Sequence, residues 1–540
     1  MTATGQLLHA ATGSALAGSG GTASMVILVA PLLAPLAAAA AAGLAGWRRP
    51  VAWVTVAAAV VILGCGVWAA ARTTGGSALT AGGLLRADAL SAVMLLVIGG
   101  VAVIATWAGV SYIDDELATG HTDPRGARLY GVLVPLFLAA MVLAVLAGNL
   151  GVLWAAIEAT TIVTAFLVGH RRSRAALEAT WKYVMICSVG IAMAYLGTVL
   201  VYYASRHSNP GTEAGHGSLD WTVLVAQADQ LDPGVMRVAF ALLVLGFGTK
   251  AGLVPLHSWL PDAHSQAPAP VSALMSGVLL SVAVYALLRY RVIASAALDP
   301  AFVRALLLTV ALASLALAAS MLLAQRDYKR LLAYSSIEHM GLVVVGVAAG
   351  TRLAVAALLL HILGHGLGKA VLFCGSGQIL AAEGTTQIAG VTGLLARRPV
   401  LAATFALGLA ALLGLPPFSL FASELALARA TTAAGLGWAV AVALVLLLVV
   451  FVAIAARTAG MLLGRPPTPD PGETDLPGPG GDDVGGAAGG VAVALSTSTA
   501  SSTLAVAPLV TGLAALAVLG TVAWPLAALL RAASMIAGTP

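Results

Sequence analysis

The sequence predicts an all-α polytopic membrane protein with about fourteen transmembrane helices. Three observations predict it. Hydrophobic residues make up 60% of the 540 residues and charged ones only 9%, too little polar surface to solvate a soluble domain. Apolar stretches of about 20 residues, the length that crosses a bilayer, recur along nearly the whole chain, centred near residues 35, 61, 98, 138, 159, 193, 245, 281, 313, 341, 368, 414, 449 and 517. Isolated ionisable residues punctuate several of these stretches, and such residues inside a membrane are expensive and mark a function by default.

The remaining segments take their character from composition. Residues 1–24 are small and polar without a basic run, and are read as a flexible N-terminus rather than a signal peptide. Spans 1–3 occupy 25–128, spans 4–8 occupy 129–292 and spans 9–13 occupy 293–464. Residues 465–503 are rich in Pro, Gly and acids, as in a disordered loop, and 504–540 carry the last span. The loop over 204–234 is net acidic. Loops after odd-numbered spans hold Arg48, Arg49, Arg171, Arg172, Arg174, Arg326, Lys329, Arg330, Arg397 and Arg398 among others, and outnumber in Lys/Arg the loops after even spans, which include Arg237, Arg289, Arg291 and Arg304. The positive-inside rule places the odd loops in the cytoplasm and both termini outside. The pI of about 9.2 reflects this topology and not a nucleic-acid partner. Cys65, Cys187 and Cys374 fall in three different spans without the spacing of a metal or iron–sulfur site, so no cofactor is expected.

Two spans are expected to be broken. Span 7 reads Gly246-Phe-Gly-Thr-Lys250-Ala-Gly-Leu-Val-Pro255, and span 12 reads Leu413-Gly-Leu-Pro416-Pro417-Phe418, followed by Glu424. Proline removes a backbone donor, and freed backbone at membrane depth survives only where it lines protein or water. Paired broken helices in corresponding halves point to a transporter built from repeats.

The isolated charges are Glu158 in span 5, Lys250 in span 7, Lys369 in span 11 and Glu424 beyond the second break. A lysine at the centre of a membrane helix costs roughly 2.5–3.5 kcal/mol on insertion scales. His361, His365 and Lys369 are spaced i, i+4, i+8 and share one broad helix face. Acids, bases and imidazoles in one apolar interior are the material of a proton relay. The plainer readings are a Glu–Lys pair that joins two helices and histidines that bond a carbonyl. Glu338 and His339 divide evenly between relay and packing. His257 and His264 read as a solvated loop, with proton uptake as the alternative. Arg326, Asp327, Lys329 and Arg330 read as a loop face that sets topology, and Lys182 as a snorkelling side chain.

The run Gly248-Thr-Lys-Ala-Gly-Leu-Val-Pro-Leu-His-Ser-Trp-Leu-Pro-Asp-Ala-His-Ser-Gln-Ala-Pro-Ala-Pro-Val-Ser-Ala-Leu274 resembles the signature of the antiporter-like proton-translocating membrane subunits. These occur in respiratory complex I, multisubunit cation/proton antiporters and membrane-bound hydrogenases. Gln325-Arg-Asp-Tyr-Lys-Arg-Leu-Leu-Ala-Tyr-Ser-Ser and the His361/His365/Lys369 helix resemble it too, over roughly residues 85–465. Ala156-Ile-Glu-Ala-Thr-Thr, Ala179-Thr-Trp-Lys-Tyr and Ser335-Ser-Ile-Glu-His-Met-Gly resemble the hydrogenase-4 component F branch.

The resemblance implies two inverted five-helix repeats, spans 4–8 and 9–13. It also implies a non-catalytic proton-translocating subunit of a group 4 hydrogenase or complex-I-like oxidoreductase in a bacterial inner membrane. Glu158 and Lys250 would be the switching pair, His361, His365 and Lys369 the central relay, and Glu424 the terminal group. The implied partners are other membrane subunits and peripheral redox subunits with Fe–S or Ni–Fe centres. A cation/proton antiporter subunit without redox partners is the alternative. One departure stands out: Ser276 and Ser281 occupy the span 8 positions where relatives often carry histidine or lysine. A hydroxyl orients water but stores no proton near neutral pH. A structural subunit that no longer conducts is therefore a third reading.

Overall fold

A computed structural model describes residues 3–81, 83–207, 218–465, 499–522 and 524–539. Nearly all of them are helical. The helices are α1 (Ala3–Ala45), α2 (Arg49–Thr73), α3 (Ala89–Ala118), α4 (Pro124–Leu146), α5 (Leu150–Val168), α6 (Arg174–His207), the short α7 (Trp221–Ala226), α8 (Pro233–Lys250), α9 (Trp259–Gln266), α10 (Ala269–Leu274) and α11 (Leu280–Ala297). They continue as α12 (Pro300–Ala324), α13 (Tyr328–Ala349), α14 (Arg352–Glu383), the one-turn α15 (Leu394–Arg397), α16 (Pro399–Leu412), α17 (Ser419–Ala433), α18 (Gly437–Leu463), α19 (Thr499–Thr521) and α20 (Trp524–Ala537). A small antiparallel hairpin of β1 (Leu79–Ala81) and β2 (Leu85–Ala87) joins α2 to α3.

Twelve helices among the described residues are long and apolar enough to cross a membrane, counting α10 and α11 as one continuous span, and the bent pair α19–α20 makes a thirteenth if taken as one crossing. The segment expected as span 12 is divided into α16 and α17, the former of only 14 residues. Helix α1 begins at Ala3, where a flexible terminus was expected. The expected disordered loop over 465–503 and the acidic loop over 204–234 lie partly outside the described residues, at 466–498 and 208–217.

Burial sorts the helices into two shells. The α10–α11 span is buried along its whole apolar window, and the windows of α13 and α14 are 94% buried. Helix α18 buries only 33% of its window and presents Val445, Leu448 and Val452 outward, as a lipid-facing helix should. The ionisable groups cluster on the inner helices, where they face protein.

Small residues set the closest crossings, the usual device where lipid is as apolar as leucine. A methyl group at Gly246 of α8 would lie 2.5 Å from the Ala194 backbone nitrogen of α6, and one at Gly190 would lie 2.5 Å from Thr249 Cβ. Helices α6 and α8 therefore run in near backbone contact. Gly277 and Gly366 form a similar crossing against α14.

The first break follows Lys250. Gly252 adopts φ +76°, a left-handed conformation open to glycine, and a Cβ there would strike Leu260 Cδ1 at 2.3 Å. The freed backbone is satisfied locally. Leu253 N donates to Gly248 O at 2.8 Å, Val254 N donates to Ser314 Oγ at 3.0 Å and Trp259 Nε1 donates to Thr249 O at 2.9 Å. The second break lies between α16 and α17, where Gly414 has φ +64° and Leu415 N donates to Ala410 O. Both breaks contain a cis X–Pro bond, Val254–Pro255 and Pro416–Pro417. A methyl at Gly520 would collide with Pro417 O, so α19 ends directly on the second break before the chain turns by 76° into α20. A third irregularity is a π-helical turn over Met275–Leu279, between α10 and α11. Such turns are rare and frequently sit at functional sites.

Several charges lie elsewhere than the sequence suggests. Arg289 and Arg291, expected in a loop, are inside α11 and buried. Arg289 forms a bidentate pair with Asp88, at 2.7 and 2.8 Å, and also bonds Ser91 and Tyr285. Burial pushes the Asp88 carboxyl up, but the Arg289 guanidinium and the Ser91 amide overcome this and hold it at about 2. Lys329, expected on a loop face that sets topology, is buried and donates to Ser265 O and Ala267 O at 3.1 and 3.0 Å, because α9 folds back over the start of α13. Lys182 does reach outward; it meets Glu178 at 2.7 Å and Asp262 at 3.0 Å.

Candidate functional site: a buried line of ionisable and hydroxyl groups

The first cluster surrounds Lys250. The α6–α8 crossing brings Tyr183 Oη to 3.0 Å from Lys250 Nζ, and α5 supplies Thr161 Oγ1 at 2.9 Å. The Thr161 hydroxyl donates in turn to Glu158 Oε2 at 3.2 Å. Glu158 and Lys250 are thus joined through one hydroxyl and not by a direct ion pair. Thr164 Oγ1 hydrogen-bonds the Tyr183 hydroxyl at 2.5 Å. The ammonium lies 5.1 Å from the Tyr183 ring centroid, a further favourable contact for a desolvated cation. This arrangement holds a charged lysine in an apolar interior with neutral acceptors and one acid a hydroxyl away.

The second cluster lies on the π turn. Ser276 Oγ meets Ser336 Oγ of α13 at 2.7 Å. The neighbouring Ser335 Oγ accepts from Lys369 Nζ at 2.6 Å, and Leu332 O accepts from the same ammonium at 2.7 Å. Ser281 takes no part: its hydroxyl returns to Gly277 O of its own helix at 3.5 Å. Of the two serines singled out by sequence, Ser276 is the one that reaches the neighbourhood of Lys369.

The third cluster is the imidazole group. His339 Nδ1 and His361 Nε2 are 3.1 Å apart, and His361 Nδ1 is 3.0 Å from Ser423 Oγ of α17. The His339 and His365 ring centroids are 5.0 Å apart. Glu338 Oε2 is 3.5 Å from His339 Nε2. Ligand atoms of His339, His361 and Glu424 all lie within 4.8 Å of one another. The carboxylate of Glu424 packs against Gly414 at the second break, where a Cβ would be 2.3 Å from its Oε2. A cavity of about 340 Å³ between α13, α17 and α18 borders Glu424 and Gly414.

The structure thus brings Glu158 and Lys250 together, and gathers His361, His365, Lys369 and Glu424 along one side of α14. Glu338 and His339, evenly balanced on sequence grounds, lie at the centre of the imidazole group. His264 is fully buried and stacked on Phe373 with ring centroids 5.0 Å apart, not in a solvated loop, because α9 packs inward against α13 and α14. His257 is half-buried beyond the first break, apart from the three clusters. Thr161, Tyr183, Ser335, Ser336 and Ser423 went unnoticed as bridging residues in the sequence. Hydroxyls are common in membrane helices, and the one signal that marked some of them was adjacency to Glu158 and to Glu338.

One feature orders the whole arrangement. The two terminal acids, Glu158 and Glu424, are half-buried, while Thr161, Lys250, Tyr183, Ser276, Ser336, Lys369, His365, His339 and His361 are buried. Titratable groups with hydroxyls among them are what a proton path through a low-dielectric interior requires.

Comparison with known proteins places the chain in a family. The family described as NADH:quinone oxidoreductase/Mrp antiporter, transmembrane, matches residues 147–451. A hydrogenase-4 component F homolog from Methylacidiphilum infernorum is 40% identical over 345 residues, covering 64% of this chain and 71% of that protein. Hydrogenase-4 component B from Escherichia coli is 31% identical over 353 residues, covering 63% of this chain but half of that protein, 50%. Among solved structures, a chain of the Mrp complex from Dietzia sp. superposes with a TM-score of 0.78 at 23% identity, over 96% of this chain and 97% of that one. A chain of the membrane-bound sulfane sulfur reductase, an archaeal respiratory membrane complex, gives 0.76 at 23% identity, over 95% and 97%. At such identity the likeness speaks for the fold.

Proposed function

Because the chain belongs to the NADH:quinone oxidoreductase/Mrp antiporter transmembrane family, we propose that it is a proton-translocating membrane subunit of a group 4 hydrogenase or complex-I-like oxidoreductase. The observation that carries the reading is the three buried clusters of titratable and hydroxyl groups, with a half-buried acid in the first and in the third. The relatives named for hydrogenase-4 components support the hydrogenase branch.

In this reading, redox chemistry in partner subunits changes the field or hydration beside Glu158. The two groups titrate as a coupled pair, bridged by Thr161. With Glu158 ionised and close, Lys250 keeps its proton; when the pair separates, the ammonium gives it up. Water carries the proton to Ser276, and the Ser336–Ser335 step of α13 delivers it to Lys369. From there His365, His339 and His361 pass it to Glu424. Spans 4–8 and 9–13 act as the two inverted repeats around this line. The chain resides in a bacterial inner membrane with its odd loops in the cytoplasm and its termini outside, beside other membrane subunits and peripheral Fe–S or Ni–Fe subunits.

Gentle purification of the native complex tests the assignment. The expected result is co-purification of peripheral subunits with Fe–S or Ni–Fe centres. Sodium-dependent exchange by the chain in a strain without hydrogenase or dehydrogenase partners contradicts it and points to a cation/proton antiporter.

A further inference from the structure

The imidazole group has the geometry of a metal site. His339 Nδ1 and His361 Nε2, 3.1 Å apart, are close to the separation of about 3.3 Å that two nitrogen ligands have on a tetrahedral zinc ion at about 2.0–2.1 Å each. Glu424 brings a carboxylate oxygen within 4.8 Å of a ring nitrogen of each histidine, so binding requires the glutamate to move inward. Two histidines and one glutamate are a known zinc ligand set that leaves a fourth position for water.

The group behind one of the imidazoles fits as well. A metal-binding imidazole normally gives its other ring N–H to an oxygen that fixes tautomer and orientation. His361 has Ser423 Oγ at 3.0 Å from its Nδ1, which leaves Nε2 for the ion. His339 Nε2 makes no hydrogen bond, with Glu338 Oε2 at 3.5 Å, and His339 Nδ1 is the nitrogen that faces His361. Both rings are buried, and Glu424 borders a largely apolar cavity of about 340 Å³.

We propose that His339, His361 and Glu424 form a binding site for a divalent transition metal, with Zn²⁺ as its probe, and that occupancy arrests proton movement. Zinc binding rests on the ligand geometry alone; the arrest rests on the proton path proposed above. The ion occupies the lone pairs that a passing proton needs, so zinc and protons compete, and affinity falls as pH falls.

The test uses the intact complex in detergent, loaded with Zn²⁺ alone. The expected result is one zinc per chain, with X-ray absorption showing two imidazoles at about 2.0–2.1 Å. Ser423→Ala weakens binding by about 10–100-fold, as loss of an orienting partner does, and the double substitution His339→Gln/His361→Gln abolishes it. A wild-type spectrum without a pair of imidazoles overturns the site whether or not the variants assemble. Binding of unchanged affinity in the double variant overturns it too. Zinc bound with this spectrum while proton flux continues supports the metal site and removes His339 and His361 from the path.

Discussion

Lys369→Ala abolishes redox-driven proton movement while the complex still assembles. Lys369 is the buried titratable group that links the serine cluster to the imidazole group: its ammonium bonds Ser335 Oγ and Leu332 O and no carboxylate. Alanine leaves only hydroxyls and a carbonyl, none of which holds a proton near neutral pH. The fold does not depend on the charge. A buried cation without an ion-pair partner carries an uncompensated desolvation cost, so its removal is neutral or stabilising before the small cavity is counted. The measurement pairs proton uptake in proteoliposomes with thermal unfolding of the same preparation: flux is lost and the melting temperature is retained.

Asp88→Asn has the opposite profile, a large loss of stability at a position outside the line of relay groups. Asp88 caps α3 through Ser91 N at 3.1 Å and neutralises buried Arg289 of α11 through two bonds. Removing one partner of a buried pair leaves an unpaired charge and costs about 3–5 kcal/mol. Replacing both residues, Asp88→Asn with Arg289→Met, restores much of it. The sign with pH follows from the depressed carboxyl. The contribution is fully present above the ordinary carboxylate range, near pH 4, and is lost as pH falls toward about 2. Wild type therefore keeps this part of its stability down to about pH 4, while Asp88→Asn loses it at neutral pH. Thermal unfolding across that range reads both.

Much of this was legible in the sequence because lipid imposes few solutions. Length and hydropathy mark the spans, and both expected breaks are present, after Lys250 and around Gly414. Glu158, Lys250, Lys369 and Glu424 stood out because an isolated charge in an apolar run has no ordinary explanation. Hydrogen bonds made by uncharged side chains were not legible. Thr161 could not be told from any other membrane threonine until α5 was placed against α8, nor Ser335 until α13 met α14. The π turn that aims Ser276 at Ser336 has no sequence signature, and Ser281 looked equally eligible. Buried Arg289 and Lys329 were mistaken for topology-setting loop residues because a basic residue near a span end reads the same whether it faces water or a partner such as Asp88.

The central claim is that protons cross this chain along the interior line that begins at Glu158 and Lys250. The direct measurement is redox-driven proton uptake by the complex carrying Lys250→Ala, reconstituted in proteoliposomes, against wild type at matched turnover of the redox subunits. The account predicts assembled complex, continued redox turnover and no coupled proton movement. Full pumping by Lys250→Ala would contradict it.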